Sequence, residues 1–307
     1  MKKITITNKI ERDFKELVFS IFDTKDNRLY LKKDTKNIKF EIRLKYFDKL
    51  IYKKLKRFDN KISFKKLIIS DFKYLQKLVD YIDKNKSYTQ LSKLQKEIFY
   101  TLYERLKKAK FIEFLNVKTC LYCNRNFVIN FKNDKKLSTT AQLDHFFSKK
   151  DYPYLSVSLY NLIPCCPTCN LRKLDKKVNI LHPFFDDIDK EIKFVLKLKD
   201  TKFYYSIKGF EIELKTNFKR AKNHIEVFKL EDLYNEHKDI VLELIQKKYM
   251  YNESYLDELF RKYEGTFFKN KEDLLRLVSG GYISEEEINK RPLSKLIKDI
   301  SEELDFI

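Results

Sequence analysis

Apolar side chains fall into one-sided stripes over the first 115 residues of the chain. Phe47, Leu50, Ile51, Leu55 and Phe58 recur at the spacing of a helix that buries one face. Ser70 and Asp71 stand as caps before a second stripe of Phe72, Leu75, Leu78, Val79 and Ile82. Leu91, Leu94, Ile98, Leu102 and Leu106 make a third. Such stripes are core-facing surfaces, so residues 1–115 are expected to be mostly helical after a short stranded start. The period changes further on. Phe194, Leu196 and Leu198, then Phe203, Tyr205 and Ile207, then Phe210, Ile212 and Leu214 alternate with polar residues, which predicts a three-stranded antiparallel meander turning at Gly209. From about residue 217 helical spacing returns, in Val241, Leu244, Ile245 and Tyr249 and again in Leu293, Leu296, Ile297, Ile300 and Leu304. Pro292 suits the first turn of that last helix, and Gly280 and Gly281 separate helices before Tyr282. The result is an α+β protein in three stretches: residues 1–115, 116–188 and 189–307.

Composition narrows the class. A chain of 307 residues with 43% hydrophobic and 15% aromatic residues has ample material for a buried core. Only 4 Gly and 5 Pro argue against a turn-rich all-β fold. The net charge of +20, from 65 Lys and Arg against 45 Asp and Glu, favours a polyanionic partner, nucleic acid before a membrane surface. A Lys- and Ile-rich composition also gives many lysines that are ordinary solvated surface. No apolar run approaches the ~20 residues that span a bilayer, and charges at Lys9, Glu11, Arg12 and Asp13 interrupt any leader. The expectation is a cytoplasmic protein without a membrane partner.

The central stretch carries the chemistry. Of the 5 cysteines, four form two Cys-x-x-Cys pairs, Cys120 with Cys123 and Cys166 with Cys169. Each pair can turn both thiolates to one ion, and two pairs complete a tetrahedron that leaves zinc no open position, so a structural zinc is expected. Cys165 is the spare thiol; the two-residue gap to Cys169 favours Cys166 as the ligand. Asp144 and His145 lie between the pairs. An imidazole titrates in the range of a general base near neutral pH, and a carboxylate with an amide oxygen, here Asp144 with Asn170, suits Mg²⁺ or Mn²⁺. On a regular strand these two neighbours would point to opposite faces, so a bend is needed to bring both to one substrate.

The segment Cys120–Lys173 resembles the HNH endonucleases of the ββα-metal type. The likeness rests on both knuckles, LDHF, Lys149 and the Tyr152-Pro153 step of DHFFSKKDYP, NLIP at Asn161, and Cys-Asn-x-x-Lys ending at Lys173. It implies two antiparallel strands and a helix around a catalytic metal, with zinc at the base. Asp144 and Asn170 would be the metal ligands, His145 the general base, and Asn161 the residue that holds the base-bearing loop. Asn170 stands where the family often has His. Lys149, Arg172 and Lys173 would meet substrate phosphates, although Arg172 and Lys149 suit ordinary surface equally well. With HPFFDD downstream and YNEH at Tyr234–His237, the pattern is similar to HNH proteins of bacterial anti-phage systems, of the Septu and retron-associated kinds. That likeness implies a partner ATPase. His182, His224 and His237 are read as packed or exposed histidines.

The reading is therefore a metal-dependent nuclease cutting DNA, with RNA as a second substrate. Two rivals stand beside it: a zinc-stabilised nucleic-acid-binding module without chemistry, and a restriction or mobile-element nuclease acting alone.

Overall fold

The structure, a computed structural model, describes residues 2–22, 28–32, 39–134 and 136–306. It opens with α1 (Asn8–Phe19), a hairpin of β1 (Arg28–Lys32) and β2 (Lys39–Arg43), and then α2 (Leu44–Leu55), α3 (Phe64–Ile69), α4 (Phe72–Lys84), α5 (Lys86–Thr89), α6 (Lys93–Arg105) and α7 (Lys108–Leu115). The central stretch holds β3 (Asn130–Asn133), β4 (Lys136–Thr139), β5 (Gln142–His145), β6 (Leu162–Cys165) and α8 (Pro167–Lys173). There follow α9 (Ile188–Glu191), β7 (Lys193–Leu198), β8 (Phe210–Lys215), α10 (Lys219–Phe228), α11 (Leu230–Asn235), α12 (Lys238–Met250), α13 (Glu253–Tyr263), α14 (Lys271–Ser279) and α15 (Ser294–Glu303). The class is α+β: the strands form antiparallel pairs, β1–β2, β3–β4, β5–β6 and β7–β8.

Several helices, α1, α3, α4, α6, α13 and α14, begin where a side-chain oxygen satisfies one of their first free N–H groups. Asp71 accepts from Tyr74 N at 2.8 Å to start α4, and Ser92 forms a reciprocal capping box with Gln95 at the start of α6. The stripes land as expected on α2 and α4, whose apolar faces are buried. The α6 stripe is shifted: Leu94 is 55% exposed, and Phe99 takes its place inward beside Ile98 and Leu102. The strand at the start is not at residues 2–7, which lead directly into α1; the first pairing is the β1–β2 hairpin.

Two further expectations are corrected. The meander has two strands. Between β7 and β8 the chain makes short 3₁₀ turns at Thr201–Tyr204 and Ile207–Gly209, because Asp200 and Ser206 accept from Lys202 N and Lys208 N and draw the backbone away from a ladder. Gly209 does sit at the turn, where a Cβ would come within 2.5 Å of the Phe203 backbone nitrogen. Pro292 lies outside α15, since Leu293 adopts a left-handed conformation (φ 63°) before the helix starts at Ser294. Its N–H donates to Asn124 O at 2.8 Å, and Asn124 Oδ1 accepts from Lys295 N at 3.1 Å, so a side chain from the cysteine loop caps α15.

One continuous apolar cluster runs from Phe14 to Ile300, and a small one gathers Leu256, Phe268, Leu274 and Phe306. The three stretches thus share a core. Among the described residues no helix is long and apolar enough to cross a membrane.

Candidate functional site

The cysteine loop folds back on itself. Cys120 N donates to Asn126 O (2.9 Å) and Asn124 N to Cys120 O (2.8 Å), with Asn124 in the left-handed region that closes the turn. Opposite, Cys166 is the residue before α8 and Cys169 lies in its first turn. All four sulfurs are buried and lie within 4.8 Å of one another. Cys123 and Cys166 are 4.0 Å apart, close to the ~3.8 Å edge of a tetrahedron with 2.3 Å bonds to zinc. Arg125 N and Asn126 Nδ2 each donate to a sulfur at 3.4 Å, which suits thiolates. Burial pushes the Cys120 thiol well up, so four ionised sulfurs this close need a cation among them. The donor set fits zinc. Cys165 is outside the cluster, buried on β6 opposite Gln142.

β5 and β6 pair antiparallel, with Asp144 opposite Ile163 and His145 opposite Leu162, and α8 follows directly. The intervening loop is pinned by Asn161, which is fully buried and uses its whole amide. Its Oδ1 accepts from Phe147 N at 2.7 Å, and its Nδ2 donates to the carbonyls of Phe147 (3.1 Å) and Leu155 (2.9 Å). That loop brings the Ser156 carbonyl to 3.0 Å from His145 Nε2. A carbonyl only accepts, so Nε2 carries the hydrogen and Nδ1 keeps its lone pair. Burial, joined by the charges of Lys149, Lys173 and Lys108, pushes the imidazole down to about 3 against the opposing pull of the Ser156 carbonyl. At neutral pH His145 is uncharged, with its lone pair on Nδ1, and in these surroundings it is a weaker base than a free imidazole.

Asp144 points the other way, since β5 keeps regular alternation to its end, so the bend expected to bring Asp144 and His145 to one substrate is absent from the paired strand. Its carboxylate accepts from Tyr122 Oη at 2.7 Å and from Lys173 Nζ at 2.9 Å. Burial raises its pKa, against the influence of Lys173 and Tyr122. Tyr122 belongs to the first knuckle and its carbonyl accepts from His224, so the cysteine loop and Asp144 are mechanically joined. Asn170 is on the same face as Asp144: its Nδ2 donates to Gln142 Oε1 at 2.6 Å, and Gln142 lies two residues before Asp144 on β5.

The three expected phosphate contacts separate. Lys173 is buried at 1% exposure, with its ammonium on Asp144 and on the His145 carbonyl (2.8 Å), so its charge is occupied inside the fold. Arg172 is half-buried and borders an open groove with Lys176, Lys177 and Lys229. Lys149 lies over the rings of Tyr103 (4.8 Å) and Tyr100 (5.4 Å), close to His145. His182 is packed, its Nε2 on the Tyr160 carbonyl at 2.7 Å. Tyr103, Lys108, Tyr122, Asn124 and Gln142 are at or around the site, and the sequence alone assigns them no role; Tyr122, Asn124 and Gln142 lie within Cys120–Lys173, whereas Tyr103 and Lys108 lie outside it.

A hard cation at Asp144 and Asn170 has oxygen donors of the right chemistry on one face of the strand–strand–helix unit. As the side chains stand, the Lys173 ammonium is the cation at Asp144.

No protein-family model and no solved structure matches the chain. A curated relative, the Septu protein PtuB of Bacillus thuringiensis, is 32% identical over 112 residues, which cover 36% of this chain and 37% of the relative. The chain therefore matches little more than a third of that protein's length.

Proposed function

We propose that the chain is an HNH endonuclease of the ββα-metal type, hydrolysing DNA phosphodiesters as the nuclease component of an anti-phage defence system. The observation that carries the reading is His145: a neutral imidazole, oriented by the Ser156 carbonyl, with Nδ1 free to take a proton. The strand–strand–helix order around it, the Asn161 pin and the four-cysteine knot support the same family. The likeness to a Septu protein supports the defence role and a defence-system partner, and the family resemblance implies that this partner is an ATPase.

In the mechanism, His145 Nδ1 removes a proton from water as the water oxygen attacks phosphorus, and the bond to the 3′ oxygen breaks with its electron pair on that oxygen. Asn161 acts through the loop, holding Ser156 and hence the imidazole. Tyr122 and the cysteine knot hold Asp144 in place. Asp144 and Asn170 are the residues that would hold Mg²⁺ or Mn²⁺, which would supply stabilisation of the charge building on the phosphate; bringing that charge and His145 to one phosphate requires the end of β5 to bend and Asp144 to release Lys173.

The test incubates wild type and His145→Ala with plasmid and single-stranded DNA, in Mg²⁺, Mn²⁺ or EDTA, alone and with the co-purified ATPase and ATP. Metal-dependent cutting by wild type, reduced at least about a hundredfold in the variant, is expected. Salt-dependent binding with no cutting under any of these conditions would replace the nuclease with a zinc-stabilised binding module. Cutting by the isolated chain, indifferent to ATPase, would favour a nuclease acting alone.

A further inference from the structure

His145 has a cationic surround that comes from outside the strand–strand–helix unit. Tyr103, on α6, packs its ring against the imidazole with centroids 4.4 Å apart, and its hydroxyl is anchored on the Leu143 carbonyl at 2.9 Å. Two ammonium groups lie over that same ring: Lys108 at 4.3 Å and Lys149 at 4.8 Å from its centre. Lys108 comes from the start of α7 and Lys149 from the loop after β5, so two separate segments bring like charges to one ring, near enough to act on each other. Among the described residues neither ammonium is in an ion pair with a carboxylate. Burial and the Lys149 charge hold Lys108 below the ordinary lysine value, with Glu104 only a weaker opposing influence.

The local sequence is also set against its own helix. The first turn of α7 brings Lys107, Lys108 and Lys110 to a positive helix end, with no acidic residue and no side-chain cap. Helix N-termini favour negative groups and disfavour cations. Locally unfavourable choices of this kind concentrate where a ligand compensates them. An anion seated between Lys108 and Lys149 would relieve both the repulsion between the two ammonium groups and the uncapped helix end.

We propose that Lys108 and Lys149 grip one phosphate of a nucleic-acid backbone over the Tyr103 ring, beside His145, so that the N-terminal helices contribute part of the substrate clamp. The clamp rests on the reading of His145 as a nuclease base. Lys149 supplies the side of the grip that the family likeness reaches. Lys108 and Tyr103 supply the side it does not, and they give residues 1–115 a share in the reaction.

The experiment measures binding apart from cutting. Full-length protein carrying His145→Ala is titrated with fluorescent single- and double-stranded oligonucleotides from 50 to 300 mM salt, with and without Lys108→Gln, Lys149→Gln or Lys108→Arg. Each Gln variant is expected to weaken binding roughly tenfold at low salt and to reduce the slope of log affinity against log salt, the two losses together amounting to about 0.7 on single strands or about 0.9 on duplex because the lysines share one phosphate. Lys108→Arg should keep most of the affinity and the slope, and thermal melting should be unchanged in all three. Lys262→Gln, on α13, is the control and should leave the slope alone. Unchanged slopes for Lys108→Gln, or a slope lost equally with Lys262→Gln, would overturn the clamp. The outcomes are separable: slopes that change in a protein that never cuts keep the clamp and remove the nuclease, whereas cutting by an otherwise wild-type Lys108→Gln protein with unaltered KM removes the clamp and keeps the nuclease.

Discussion

Two lysines are buried to the same 1% exposure, and they sit in opposite kinds of surroundings. Lys295, on α15, meets Asp299 at 2.6 Å, the Asp189 carboxylate at 2.9 Å and the Asp189 carbonyl at 2.9 Å. Lys298 adds a second cation to Asp189 at 2.8 Å, and Asp299 also accepts from Phe194 N on β7 at 2.8 Å. Every charge there has several partners from different elements, which is what buried charge requires if it is to be retained. Among the described residues Lys173 has one carboxylate, Asp144, and one carbonyl, and the other donor to that carboxylate is a neutral tyrosine hydroxyl. The first arrangement ties α9, α15 and β7 together. The second is a single neutralising contact between α8 and β5, of a kind that another cation can take over. The difference teaches that equal depth of burial can go with very different numbers of independent partners, and that the number of partners sets how firmly a buried charge is fixed.

Removing each lysine tests that distinction. Lys295→Met, which keeps the volume and deletes the charge, leaves two carboxylates without their shared cation and should cost about 5 kcal/mol of stability in urea unfolding, the same in EDTA as in Mg²⁺. Lys173→Met should cost about 3 kcal/mol in EDTA, and millimolar Mg²⁺ should return a large part of that loss while stabilising wild type much less. An equal magnesium response in both lysine variants would erase the contrast and count against a cation site at Asp144. The smallest effect belongs to a more exposed version of the same pairing. Asp59 accepts from Lys66 at 2.5 Å and from Tyr74 Oη at 2.6 Å, and these bonds, Lys66 first, hold its carboxyl down at about 2. A depressed carboxyl contributes stability above its unfolded value of ~3.9, and the contribution is lost as pH falls from there through about 2. With Lys66 partly exposed, Asp59→Asn should cost about 1 kcal/mol at pH 7, and the gap to wild type should close between pH 4 and about 2 in thermal melts.

The parts of this molecule that were legible beforehand are those governed by local periodicity or by spacing. The faces of α2 and α4 follow from apolar residues at helical intervals, and the four cysteines assemble because each pair needs only one turn of chain to converge. The three-stranded meander failed because alternation describes a side-chain pattern, while Asp200 and Ser206 offer the backbone a local partner that alternation does not register. Lys295 and Asp299 look like a surface pair one helical turn apart; only the docking of α9 and β7 buries them. At the candidate site, His145, Asp144, Asn161 and Asn170 stood out through their order, and the structure brings all of them onto one strand–strand–helix unit. Lys108 and Tyr103 carried no comparable mark. They reach the surroundings of His145 across the packing of α6 and α7 against the central stretch, a relation that no interval along the chain encodes. Lys173 was visible as a cation, but its direction inward depended on Asp144 having no other charged partner.

Asn124 has a consequence for how the protein is made. It closes the first cysteine turn, yet its amide donates to the Ile288 carbonyl and its oxygen accepts from Lys295 N. Chains emerge from the ribosome in order, so the last zinc-binding cysteine appears about 120 residues before Lys295, a delay of roughly 6–25 s at ~5–20 residues per second. During that interval the nascent chain can already load a metal while the groups that complete the Asn124 turn have yet to be synthesised. Metal capture would then precede, and template, the seating of the final helix, and a chain stalled in that window would hold zinc on an unfinished frame.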